Sequence, residues 1–457
     1  MTRQANSTAG KRAANAGDER RFGDNIAPYI LGVSYCGLML VTYRALSTWW
    51  TYIGFAYEPV GFDVGLTILL SALPVLFLPS RPKSVAELGA WILSFTLFMP
   101  ALLIPQLQGW VRGVDRWALF FTLLACSIGF NALSRGSTWT LKPIRSRPAS
   151  FWGLVLALWL VMHGFIVFFL GSRLSVVGLD QVYEQRANNS MAVGGNALVA
   201  YILSNASGAL NPFFIAIGVF QRRWVIFALG VLGELIVYSV LAGKIVIVFV
   251  IVVSAAFLLF DRNGQLRPLR FAAGLTTIAS LGALLIGVYS PGDGLFNDFY
   301  DLIFVRTLYL PGVLVGAYWA FFSTYPVTYF SHMILGQFFT TYPYGQQSVG
   351  QVIGNYVTPG SGANVNNYNA NFIAADGITG LGLVGIPIVF AIALLVLRGI
   401  DGATGRVDLR LRCAALIPFL MWLSDGSLFT ALLTGGGGLI VVLLYFWGGV
   451  ESGGRTL

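Results

Sequence analysis

The sequence predicts an all-α polytopic membrane protein of about twelve transmembrane helices, and three observations carry that expectation. Only 10% of the 457 residues are charged, while 56% are hydrophobic. Apolar runs of about twenty residues, long enough to span a hydrocarbon core as a helix, recur along the chain. Basic residues fall between these runs in the alternating manner that orients membrane helices. Closed β-barrels also span membranes, but they read as short alternating segments rather than continuous apolar runs.

Taken in order, the chain opens with "MTRQANSTAGKRAANAGDERRFGD", which is polar and basic and has no apolar core or cleavage site. It is not a secretory signal, and residues 1–25 read as a disordered cytoplasmic tail. The expected spans are roughly 26–45, 63–80, 85–105, 116–134, 150–170, 194–220, 224–242, 245–260, 271–289, 380–398, 413–431 and 435–449. They form one transmembrane domain over 26–449, followed by a cytoplasmic tail at 450–457. Cys36, Cys126 and Cys413 each lie inside an apolar run, in a spacing that fits neither a zinc site nor an obvious disulfide.

With the N-terminus cytoplasmic, all but seven of the 28 Lys and Arg fall on the cytoplasmic side. The net charge of +9 then reflects topology and anionic lipid, and needs no nucleic acid as partner. The seven on the opposite side are Arg44, Arg112, Arg116, Arg173, Arg186, Lys244 and Arg306. Two loops on that side are long enough for chemistry, at about 171–193 and 290–379. The second contains "TLYLPGVLVGAYWAFFSTYP", an apolar aromatic stretch broken by Pro311 and Pro326, which suits a helix at the interface or one re-entering the membrane.

Arginine offers a planar fork of donors matched to phosphate oxygens. Arg173 and Arg186 on the first loop, with Lys244 and Arg306, therefore suit a pyrophosphate clamp. The competing reading pairs the two loop arginines with Asp180 and Glu184 on a solvated surface, and lets Lys244 snorkel to the interface. Glu234 and His163 lie inside spans, where an ionisable group is expected to face the protein interior. Asparagines crowd "GANVNNYNANFIAADG", Gly362 to Gly377. Amides that both donate and accept suit sugar hydroxyls, but they also make turns and caps. Asn366, Asn369, Asn371 and Tyr309 are the candidate sugar contacts. His332, Asp301 and Asp376 compete as general base. No nucleotide loop, HExxH motif or GxSxG elbow occurs, so neither a metal nor a cofactor is expected.

Three stretches in order, "LDQVYEQRANN", "VRTLYLPGVLVGAYWAFF" and "NYNANFIAADGITGLGLVG", resemble the trans-side loops of O-antigen (Wzy-type) repeat-unit polymerases. The resemblance covers roughly residues 170–390. It implies a metal-independent glycosyltransferase of the C-type membrane superfamily in the bacterial inner membrane, with its active site periplasmic. Such an enzyme moves a growing glycan from undecaprenyl pyrophosphate to another lipid-linked repeat unit. It also implies a chain-length regulator of Wzz type as partner. The similar O-antigen ligases, which use lipid A core as acceptor, and flippases of lipid-linked sugars are the alternatives.

Overall fold

The computed structural model describes residues 25–59, 64–111, 113–136, 139–142, 144–175, 178, 185, 189, 196–261, 263–292, 294–333, 336–359 and 367–454. Residues 1–24 of the expected N-terminal tail thus lie outside the described residues, while Asn25 is buried and donates to the Leu76 and Leu78 carbonyls at 3.0 and 2.7 Å. Helices dominate, and the β-pairing among the described residues is a single bridge between Phe260 and Leu266. Among the described residues, nine helices are long and apolar enough to cross a membrane. The protein is a multi-pass membrane protein.

The helices run α1 (Ile26–Leu46), α2 (Val64–Phe77), α3 (Val85–Gln106), α4 (Gly113–Leu133), α5 (Pro148–Arg173) and α6 (Ala197–Gln221). They continue with α7 (Trp224–Leu241), α8 (Lys244–Ala255), α9 (Pro268–Leu285), α10 (Leu295–Phe322) and α11 (Val349–Val357). The chain ends with α12 (Ile373–Thr404), α13 (Leu409–Asp425), α14 (Leu428–Leu433) and α15 (Gly437–Gly454). Pro148 and Pro268 open α5 and α9, where the missing N–H leaves no helical bond unmade. The sequence "VAELGAWILSFTLFMPALL" is apolar on every side, and α3 is accordingly buried throughout. Phe98 of α3 packs edge-on against Phe130 of α4 and tilted against Phe390 of α12.

One end of the bundle is stitched by basic side chains. Arg135 donates to the Phe77 and Leu78 carbonyls at the end of α2, at 2.9 and 2.6 Å. Arg398 donates to the Leu133 and Arg135 carbonyls. Arg412 pairs with Asp401 at 3.4 Å and donates to the Lys83 carbonyl at 3.0 Å. The fully buried Asp401 in turn accepts from the N–H groups of Val85 and Ala86, at 2.6 and 2.9 Å. A carboxylate from α12 thus serves the orphan donors that open α3.

Three sequence expectations change. The span expected at 413–431 is two helices, because Gly426 is extended and Ser427 caps a fresh start at α14. α15 is continuous to Gly454, so helix occupies the first residues of the expected C-terminal tail. The 290–379 stretch is not a simple loop: it holds the 28-residue α10. The start of α10 meets the late part of α9, where Tyr300 donates to the Gly282 carbonyl at 2.9 Å. Its middle lies against Tyr43 of α1, and Gly312 presses on the Pro100 carbonyl. Its end returns to the start of α4, where Trp319 donates to the Asp115 carbonyl at 3.1 Å. Both ends of α10 therefore meet the bundle at the end away from the arginine stitches.

Candidate functional site

The centre of α10 is a π-helix from Asp301 to Tyr309, followed by Pro311. In an α-helix, side chains five apart diverge by about 140°, whereas π-type i→i+5 bonding restacks them after about one turn. Asp301 and Arg306 therefore face the same way. They line a cavity of about 170 Å³ with Asp298, Thr307 and Pro311 of α10, Thr96 of α3, Ile245 and Phe249 of α8, and Met421, Trp422, Ser424 and Asp425 of α13. The Thr96 and Ser424 hydroxyls meet at 2.7 Å across it. Arg306 is exposed to the cavity and is the basic charge that acts on Asp425. The guanidinium has no hydrogen bond or ion pair among the described residues.

Asp301 is held from behind. Tyr289 donates its hydroxyl to Asp301 Oδ1 at 2.5 Å, and Trp50 Nε1 donates to the Tyr289 oxygen at 2.9 Å. Tyr289 stacks on Tyr300 with centroids 4.2 Å apart. Burial and the neighbouring Asp301 carboxylate both push the Tyr289 hydroxyl well above its ordinary range, so it remains a donor.

The other sequence candidates divide. Lys244 opens α8 directly before the cavity-lining Ile245; its side chain is not described. The first loop docks beside that point. Ser175 N–H and Gln185 donate to the Ser239 carbonyl at 3.1 and 3.4 Å, and Asn189 donates to the Val240 carbonyl at 2.8 Å. These bonds satisfy carbonyls at the end of α7, one turn before Lys244. Arg173 closes α5 and is absent from the cavity wall. Arg186 and Asn366 lie outside the described residues.

The structure assigns the remaining candidates to other work. Tyr309 is 1% exposed and packs on Tyr43 in the core, out of reach of a sugar in the cavity. Asn371 is fully buried: it donates to the Pro311 carbonyl at 3.0 Å and accepts from Ala374 N–H at 3.2 Å. It satisfies the kink of α10 and the start of α12, the turn-and-cap use of an amide. Asn369 is exposed, beside Gly350 of α11. Asp376 accepts from the Ser427 hydroxyl at 2.6 Å and Leu428 N–H at 2.7 Å, and so caps α14 instead of lining the cavity. His332 Nδ1 lies 2.7 Å from the Thr328 hydroxyl, and burial pushes its pKa down to about 4.

Asp425, Ser424, Thr96 and Tyr289 are cavity or support residues that sequence reasoning missed. The signal for Asp425 was present in "WLSDGSLF", where Asp-Gly-Ser ends one helix and caps the next; a single span over 413–431 hides it. Carboxylates and arginines within or at the ends of helices are also more numerous than the expected pair of Glu234 and His163, and include Asp376, Asp401, Arg412 and Asp425. No group of three or more His, Cys, Asp or Glu that could hold a metal ion occurs among the described residues.

Fold and cavity together define an all-helical, multi-pass membrane protein with a charged cavity near one end of the bundle. Comparison with protein-family models, curated proteins and solved structures gives no match.

Proposed function

We propose that this protein is a glycosyltransferase that polymerises lipid-linked oligosaccharide repeat units. In this reading Arg306 binds the pyrophosphate of the polyprenol-linked donor and neutralises the charge that grows as it leaves. Asp301 takes the proton of the acceptor hydroxyl, whose oxygen bonds to the anomeric carbon as the bond from that carbon to the phosphate oxygen breaks. The observation that carries the reading is the pairing of an unpartnered arginine with a hydrogen-bonded carboxylate on one wall of one cavity. Anion binding and base catalysis need that combination. In this reading Lys244, which opens α8 directly before the cavity-lining Ile245, adds a phosphate contact. The expected twelve spans, the periplasmic placement of this end and the Wzz-type partner belong to the same proposal.

The test is direct. Purified protein in detergent should lengthen undecaprenyl-pyrophosphate-linked repeat units, and Arg306→Ala and Asp301→Asn should each abolish most of the lengthening. Lengthening undiminished in both variants would sink the assignment. Glycan transfer only when lipid A core is supplied would make the protein a ligase instead. A flippase is the second reading, favoured by the ionisable groups buried within the helices. It predicts no lengthening in detergent and movement of lipid-linked glycan across proteoliposomes.

A further inference from the structure

A second polar centre, sharing no residue with the cavity wall, lies among α5, α6 and α7. Four side chains meet there, each at least nine-tenths buried: His163 at 2% exposure, Ser207 at 5%, Asn211 at 0% and Glu234 at 2%. Both Glu234 carboxylate oxygens, the Ser207 hydroxyl, both ends of the Asn211 amide and His163 Nε2 lack a hydrogen-bond partner. The Ser207 hydroxyl and the Asn211 amide nevertheless lie close enough to act on the Glu234 carboxyl as donors, so the orphaning is one of bond geometry, with the three side chains turned to a common point. Six orphaned polar atoms around one point would be a severe defect in an apolar helix bundle if nothing sat between them.

The local sequence builds this convergence. A β-carbon on Gly233 would collide with Asn211 Oδ1 and lie 2.8 Å from His163 Nε2, so only glycine lets both side chains close over the backbone of α7. In α6, Ser207 lies within and Asn211 directly follows a π-helical stretch, Ala206–Leu210, which interrupts the regular α-type bonding. His163 Nδ1 lies 2.9 Å from the Trp159 carbonyl. A carbonyl only accepts, so Nδ1 carries the hydrogen and Nε2 presents a lone pair.

The donors and acceptors do not balance. The Ser207 hydroxyl and the Asn211 amide are the donors. Against them stand the two carboxylate oxygens, the Asn211 carbonyl oxygen, the Ser207 lone pairs and His163 Nε2. Glu234 has no ion pair with a described Lys or Arg. A carboxyl group so deep in an apolar bundle is neutralised either by a proton or by a positive species beside it, and the surrounding oxygen atoms favour the second. Carboxylate, amide and hydroxyl oxygens are the ligands a hard cation takes, and interrupted helices are where membrane proteins bind sodium.

We infer that the centre formed by Glu234, Asn211 and Ser207 binds a small monovalent cation. The carboxylate neutralises the ion, Asn211 Oδ1 and the Ser207 oxygen complete the oxygen set, and His163 Nε2 accepts from the Asn211 amide N–H. The inference stands on this geometry and is independent of the reaction proposed for the cavity.

The experiment is thermal unfolding of the purified protein in detergent, followed by tryptophan fluorescence, in NaCl, KCl or N-methylglucamine chloride at equal ionic strength. Sodium should raise the wild-type Tm saturably, by about 2 °C or more over N-methylglucamine. Glu234→Gln should abolish the rise and melt in N-methylglucamine at or above the wild-type temperature. Should Glu234→Gln fail to fold, Ser207→Ala, which removes one ligand, should move the sodium midpoint about tenfold higher. A wild-type Tm equal in all three salts would overturn the inference, leaving a protonated Glu234 or buried water in the centre. A sodium shift that survives Glu234→Gln, or an unmoved midpoint in Ser207→Ala, would overturn it equally.

Discussion

Tyr289 donates its hydroxyl to Asp301 Oδ1 at 2.5 Å, and this bond ties the segment after α9 to the π-helical centre of α10. Trp50, beyond the end of α1, fixes the tyrosine from the other side. The carboxylate that faces the cavity is thus oriented by two aromatic donors in series. A hydrogen bond to a charged group contributes about 1.5–3 kcal/mol. Tyr289→Phe should therefore lower glycan lengthening per folded molecule about 10- to 150-fold, read in the detergent assay, together with a fall in Tm. Asp301→Asn should be the more damaged of the two, and equal activity of wild type and Tyr289→Phe would contradict the orienting role.

Arg306 and Arg398 should respond oppositely. Arg306 faces the cavity, while Arg398 is engaged with the carbonyls that end α4. Arg306→Ala should lower lengthening by about 10- to 150-fold while leaving the melting temperature near wild type. Arg398→Ala should lower the melting temperature and leave the rate per folded molecule unchanged. Measuring both quantities for both variants checks the division of labour between the two ends of the bundle.

Asp401 serves two N–H groups of α3 and the Arg412 guanidinium at once. Asp401→Ala strands all of them. Removing one partner of a buried ion pair costs about 3–5 kcal/mol, so this variant should express poorly or melt well below wild type. A melting temperature within a degree of wild type would show that water already serves these donors.

Gly312 of α10 lies where a β-carbon would strike the Pro100 carbonyl and come within 2.9 Å of Ile104 Cβ. Gly312→Ala should push α10 off α3 and lower both Tm and activity. Gly274, which has open space around it, should accept alanine without loss. The pair isolates helix contact from helix propensity.

His332 gives a pH test. Burial holds its folded pKa down to about 4, against an ordinary value near 6.5. Between these values the unfolded chain binds the proton and the folded one does not, so stability falls as pH drops from about 6.5 towards 4. Melting curves of wild type and His332→Gln should diverge in that window, the variant losing less on acidification. At neutral pH the ring is uncharged, with Nδ1 2.7 Å from the Thr328 hydroxyl.

Helix content was legible in the chain, because apolar length acts locally through the solvent that each segment meets. Residues 26–45 and 85–105 are recovered as α1 and α3 almost to the residue. Asp301 and Arg306 were legible as chemistry, but their shared face was not. It depends on a π-helix whose wider turn is held by packing against α1, α3 and α9. The same holds for the losses. Asn371, Asp376 and Tyr309 have the right atoms for sugar or proton, yet tertiary contacts turn them to a kink, a helix cap and the core. Which polar atoms remain unspent, as in Arg306 and Glu234, is a property of how helices distant in sequence meet, because a buried group is satisfied by whatever partner the packing brings near it.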